Sequence, residues 1–178
     1  MTDAGKLRGS AKDAGRIALG VYTATLAGAL AWLAGIFLAP ALAATRPRLS
    51  AFLYALYAPV CHQIRTRSFL FHGLPLAVCG RCLGIYAGVL AGLAAYPLVR
   101  GLHRAAVLPP LWLLAACSLP IALDVAASWT GFSASSNALR FATGLAWGAL
   151  LPYYFVPGVA ELVSRLLGRK RRDETAGA

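Results

Sequence analysis

The sequence predicts an all-α fold, a polytopic membrane bundle of four transmembrane helices plus one short interfacial or re-entrant helix. Three observations carry that prediction. Hydrophobic residues make up 59% of the 178-residue chain and charged residues only 13%, mean hydropathy is +0.66, and the apolar residues gather in long runs separated by basic segments. A formal charge of +11 from 17 Lys and Arg could suggest nucleic acid. Those cations flank apolar runs instead of forming one stripe, so no nucleic-acid partner is expected, and the bilayer itself is the first partner.

The four runs are Ile17–Leu38, Leu83–Val99, Val107–Ala127 and Phe141–Val156. Each approaches the ~20 residues a bilayer requires, the second by borrowing its flanks. Leu49–Val60 is too short to cross and rich in aromatics, which suits an interfacial or re-entrant helix ended by Pro59. The basic start, the apolar run and Ala41-Leu42-Ala43 resemble a secretory signal. The run exceeds the usual ~7 to 15 residues of such signals, so a retained first span is expected.

Cation placement then sets orientation in a cell (inner) membrane. With both termini cytoplasmic, the inner segments hold Lys6, Arg8, Lys12, Arg16, Arg100, Arg104, Arg165, Arg169, Lys170, Arg171 and Arg172. The outer ones hold Arg46, Arg48, Arg65, Arg67 and Arg81, with Arg140 just inside the last span. The resulting organisation is a cytoplasmic N-terminal tail at 1–16, a transmembrane domain at 17–156 with an extracytoplasmic loop at 45–79, and a cytoplasmic tail at 157–178. A turn is expected at Pro157-Gly158. Beyond it, apolar residues at helical spacing lead into Gly168-Arg-Lys-Arg-Arg, a tail suited to anionic lipid headgroups. A solvated tail that only sets topology fits the same residues.

Glycines 80, 84, 88 and 92 recur every fourth residue in the second span, and Gly144 and Gly148 repeat the spacing in the fourth, with Gly20, Ala24 and Gly28 in the first. Such stripes let helices approach closely in lipid. If the second helix begins near Cys79, then Cys79, Cys82 and Tyr86 share one face and the glycines another.

Chemistry concentrates in the cysteines. Cys61-His62 is followed, sixteen residues on, by Cys79-Gly80-Arg81-Cys82, and Cys117 stands apart in the third span. A Cys-x-x-Cys pair at that distance from a Cys/His element resembles zinc spacing, so Cys61, His62, Cys79 and Cys82 are the candidate ligands for zinc or another thiolate-preferring metal. Redox chemistry competes: Cys-x-x-Cys at a helix N-terminus beside Arg81 gains thiolate character. The topology is similar to that of quinone-linked disulfide-forming membrane oxidases, and quinone would be the cofactor under that alternative, although a second outer cysteine pair is missing. An inert loop-to-helix disulfide is the third reading. Arg65, Arg67, Ser68, Arg81, Tyr86, Asp124, Asn137 and Arg140 are the candidate residues around the cysteines, binding an anion or supporting the ligands. Asp124 is the lone acid between Asp13 and Glu161, and Arg140 is its expected partner, since a charge within a membrane needs one.

Cys61-His62-Gln63, Arg67-Ser68-Phe69, Cys79-Gly80-Arg81-Cys82 with Gly84 and Tyr86, then Asp124, Ser136-Asn137, Arg140 and Thr143-Gly144 together resemble the signature of a family of small prokaryotic predicted membrane proteins, a domain of unknown function. The resemblance covers about Tyr54 to Gly148 and implies membrane residence but no activity. Where that family often follows its aspartate with Gly and a nearby Gln, this chain has Val125, Ala126, Ala127 and Ser128. The functional alternatives are a metal site bordered by arginines that binds or transports a small anion or lipid headgroup, a quinone-linked thiol oxidoreductase, and a metal-stapled scaffold. Whether the protein is an enzyme stays open at this point.

Overall fold

The computed structural model describes residues 3–100, 108–130 and 135–176, and it is mostly helical. The chain runs α1 (Asp3–Ala41), α2 (Pro47–Tyr57), a single 3-10 turn (Arg65–Arg67), a two-stranded hairpin of β1 (Leu70–Phe71) and β2 (Leu74–Pro75), then α3 (Gly80–Arg100), α4 (Leu111–Trp129), α5 (Asn137–Leu150) and α6 (Pro152–Ala176). Two of these hold segments long and apolar enough to cross a bilayer by length and composition, Gly15–Ala41 and Gly80–Val99. The apolar stretch of α4, Leu111–Ala127, is shorter, and α5 has 14 residues. Val107 and Arg104, expected at or beside the third span, lie outside the described residues.

α1 is one continuous helix of 39 residues, about 58 Å at ~1.5 Å per residue, and it extends through the basic segment expected as a tail. At its far end a tight turn reverses the chain, and α2 returns along α1. Proline at the first position of α2 suits a helix start, where an N–H would have no intrahelical partner. The Ser50 hydroxyl donates to the Ala39 carbonyl at 2.7 Å, satisfying one of the last carbonyls of α1, and Tyr57 donates to the Trp32 carbonyl at 2.6 Å. Gly35 makes this fit possible, because a Cβ there would strike the Tyr57 hydroxyl. The short helix therefore descends beside α1 from the level of Ala39 to that of Trp32. It starts at Pro47, two residues before the expected Leu49–Val60 segment, and ends at Tyr57, three residues short of that segment's end.

α3 and α5 form the tightest pair. A Cβ on Gly84, Gly88 or Gly92 would collide with the carbonyl oxygen of Phe141, Leu145 or Ala149, and one on Gly144 or Gly148 with that of Arg81 or Ile85. The two glycine stripes face each other backbone to backbone. Gly20 and Gly28 behave differently: among the described residues nothing lies within 4 Å of a Cβ built on either, so none of them packs on the expected stripe of α1 there. α1 instead meets α3 through side chains, with Tyr22 donating to the Leu93 carbonyl at 3.1 Å and Trp32 set edge-on to Tyr86 at 5.8 Å. These contacts make the two helices antiparallel.

The fourth apolar run does not form one helix. Pro152 has no N–H to continue the ladder, so α5 closes at Leu151, whose N–H donates to Gly148 at 3.2 Å, and α6 starts on Pro152. The turn expected at Pro157-Gly158 is absent. α6 passes through Pro157, six residues into the helix.

Candidate metal centre

Cys61 leaves the last turn of α2, where its N–H donates to the Tyr57 carbonyl at 3.0 Å. Gln63, two residues on, adopts a left-handed backbone at φ 53°, a conformation uncommon outside glycine. Its side-chain amide uses both hydrogens, donating to the Tyr54 carbonyl at 2.7 Å and the Ala77 carbonyl at 2.8 Å. Tyr54 is in α2, whose last carbonyls have no helical partner, and Ala77 lies two residues before Cys79. One amide thus ties together the two segments that carry the cysteines. The Tyr54 hydroxyl adds a bond to the Pro75 carbonyl at 2.5 Å, and Leu76 N–H bonds Phe69 at 2.9 Å across the hairpin.

Held this way, the Cys61, Cys79 and Cys82 sulfurs lie within 4.8 Å of one another. Cys79 directly precedes α3, and its N–H points at Cys61 Sγ, 3.1 Å away. Cys61 is 5% exposed in an apolar cluster with Tyr57, Leu76, Val78 and Leu83. Bonding among the thiols, first with Cys61 and then with Cys82, pulls the Cys79 thiol far below the usual cysteine range. Position at the start of a helix adds to the preference for thiolate. Soft donors and an N–H···S bond suit a thiolate-preferring metal: tetrahedral zinc with Zn–S near 2.3 Å needs sulfurs about 3.8 Å apart, which falls within the separation found here.

His62 does not join the cysteines. It is exposed and outside the group that could share an ion. Adjacent residues leaving a helix end point apart, and the backbone turns left-handed at Gln63 directly after His62. Three sulfurs are therefore brought together, and among the described residues no fourth His, Cys, Asp or Glu joins them. Cys117 lies on α4 and is not part of the group.

The flanking polar residues are partly assembled. Arg81, in the first turn of α3, forms an ion pair with Asp124 of α4, whose side chain is 6% exposed. The expected partner, Arg140, instead donates Nη1 to Asn137 Oδ1 at 3.4 Å. Close packing of α3 on α5 explains the correction, because it holds Arg81, in the first turn of α3, within reach of Asp124. Asn137 donates to the carbonyls of Thr66 and Ser68, both at 3.4 Å, and Ser136 caps α5 by accepting from Leu139 N–H. Arg140 is 7% exposed, and Arg140 and Arg67 lie near enough to Arg81 to act on it electrostatically. Three arginines thus share a neighbourhood with one carboxylate. Ser68 is buried and donates to the Ile64 carbonyl at 3.0 Å, a structural role. Arg65 lies apart, bonded to the Gly73 carbonyl at 3.3 Å. Tyr86 sits one turn beyond Cys82 against Trp32.

With this geometry established, comparison with known proteins gives the family. A profile described as a predicted membrane protein family, DUF2085, matches residues 61–154, from the first clustered cysteine into α6. The chain belongs to this family. It is similar to an uncharacterized protein of Methanocaldococcus jannaschii, 40% identical over 111 residues, or 62% of this chain and 70% of the relative. It is also similar to an uncharacterized protein of Methanothermobacter thermautotrophicus, 35% identical over 89 residues, or 50% of this chain and 78% of that relative. No solved structure matches. Membership agrees with the membrane residence read from the sequence and assigns no reaction.

Gln63 and Trp32 are the residues that sequence reasoning missed. Gln63 stood in the signature without a role, and nothing in its neighbours announces the left-handed turn that aims its amide. Trp32 looked like one more apolar residue of a span, yet it supports both Tyr57 and Tyr86.

Proposed function

We propose that this protein is a four-span inner-membrane protein, both termini cytoplasmic, that holds zinc or another thiolate-preferring metal on Cys61, Cys79 and Cys82 at its extracytoplasmic side. The flanking Arg67, Arg81 and Arg140 then attract a small anion or lipid headgroup to the open side of that site. The convergence of three sulfurs from segments 18 residues apart, with an N–H already directed at one of them, carries this reading. The metal, once bound, would act as a Lewis acid toward a ligand in its fourth position. Arg140 and Arg67 would supply fixed positive charge beside it, with Asp124 neutralising Arg81. α4 and α5 complete four spans by extending into their flanks, α5 through Pro152 into α6.

Metal content of the purified protein and its variants tests the proposal. About one metal per chain is expected in the wild type, none in Cys79→Ser or Cys82→Ser, and full occupancy in Cys117→Ser and His62→Ala. Metal-free wild type carrying a quantitative Cys79–Cys82 disulfide would overturn it in favour of the quinone-linked oxidoreductase.

A further inference from the structure

A second site lies where α1, α3, α5 and the hairpin meet. Leu33 and Phe37 of α1 and Leu83 and Ala87 of α3, each pair one turn apart, form two walls of a cleft of about 400 Å3. Phe141 of α5 lines it as well, and the hairpin residues Leu70, Phe71 and Leu76 close its end. Phe37 and Leu70 remain 39% and 59% exposed at its rim. A lining of aliphatic and aromatic side chains offers a ligand no hydrogen bond, so its occupant there is hydrocarbon.

Charge tells which hydrocarbon. The segment from Leu42 to Cys79 carries Arg46, Arg48, Arg65 and Arg67 and no acid. Arg65 Nη2 bonds the Gly73 carbonyl at the turn of the hairpin whose other residues line the cleft, placing a fixed cation beside the hairpin end of an apolar groove. We propose that this groove binds one anionic phospholipid of the surrounding bilayer, its acyl chain between α1 and α3 and its phosphate against Arg65 and Arg67. Apolar chain and anionic headgroup then meet the two surfaces in the order in which the fold presents them. This site goes beyond the metal reading and shares none of its cysteines, with Arg67 common to the borders of both.

The test compares phosphatidylglycerol with phosphatidylcholine of identical chains, added to the full-length protein in mild detergent and read by native mass spectrometry. Wild type is expected to retain one phosphatidylglycerol with roughly tenfold preference or more, given two arginines near the phosphate. Ala87→Phe, which fills the groove, should lose that lipid, and Arg65→Gln with Arg67→Gln should retain both lipids equally. Photo-activatable phosphatidylglycerol with its reactive group in the chain provides a readout independent of any variant's folding, and it should label 33–37 and 83–87. Equal retention of the two lipids by wild type, labelling confined to other segments, or a neutral isoprenoid in the groove would each overturn the proposal. Metal content measured on the same samples separates this outcome from failure of the cysteine site.

Discussion

At the residue scale, single side chains fix the chain around the cysteines. Gln63 satisfies two carbonyls from separate segments, so Gln63→Ala should lower stability by about 2 to 3 kcal/mol, the cost of leaving both carbonyls without their donor. It should also weaken metal retention while leaving the cysteines in place. Thermal melting with metal analysis checks both effects, and an unchanged melting temperature would show that the clamp is dispensable. The Arg81–Asp124 pair makes a second prediction. Arg81→Gln or Asp124→Asn alone strands a buried charge, so each should destabilise by roughly 3 kcal/mol or more, whereas the double variant should cost less than the two added together. A double-mutant cycle measures this, and additive effects would refute the pairing. Asp124 was legible as a residue needing a partner, because it is an isolated acid among apolar residues. Its partner was not legible, since Arg81 lies 43 positions earlier and only the packing of α3 on α5 selects it over the sequence neighbour Arg140. His62 failed for a related reason: ligand spacing gives residue types, while the direction of a side chain depends on the turn at Gln63.

At the element scale, the glycine stripes of α3 and α5 follow from a period of four that the sequence displays openly. Their opposed backbones predict unequal costs of adding a methyl group. Gly88→Ala should destabilise by about 1 to 3 kcal/mol, because its Cβ would overlap the Leu145 carbonyl and force the helices apart. Gly28→Ala meets nothing and should be neutral or slightly stabilising, by up to ~1 kcal/mol through helix propensity. Melting of the two variants in the same detergent compares them directly, and equal effects would contradict the packing. The stripe of α1 shows what periodicity leaves undecided: spacing reports a face able to pack but not the helix that meets it. Likewise, prolines in a long apolar run do not reveal which one ends a helix. Pro152 does so here, and Pro157 is carried inside α6.

At the scale of the whole molecule, helical class and membrane residence are visible in composition alone, while the number of spans depends on how short helices seat in lipid. Opposite cation densities at the two ends predict that a membrane-impermeant thiol reagent, applied to intact cells after mild reduction and metal removal, labels Cys61, Cys79 or Cys82. Labelling only after the cytoplasm is opened would invert the topology. The cysteines also show why a site is harder to read than a fold. Their spacing suggested a four-ligand set, and the folded chain brings three sulfurs together beside a group of arginines. If these sulfurs bind one metal and leave a coordination position open, X-ray absorption at the metal edge of purified wild-type protein should show it. Three sulfurs at about 2.3 Å and one lighter, exchangeable ligand are expected; four sulfurs, a histidine nitrogen that disappears in His62→Ala, or no bound metal would contradict that coordination.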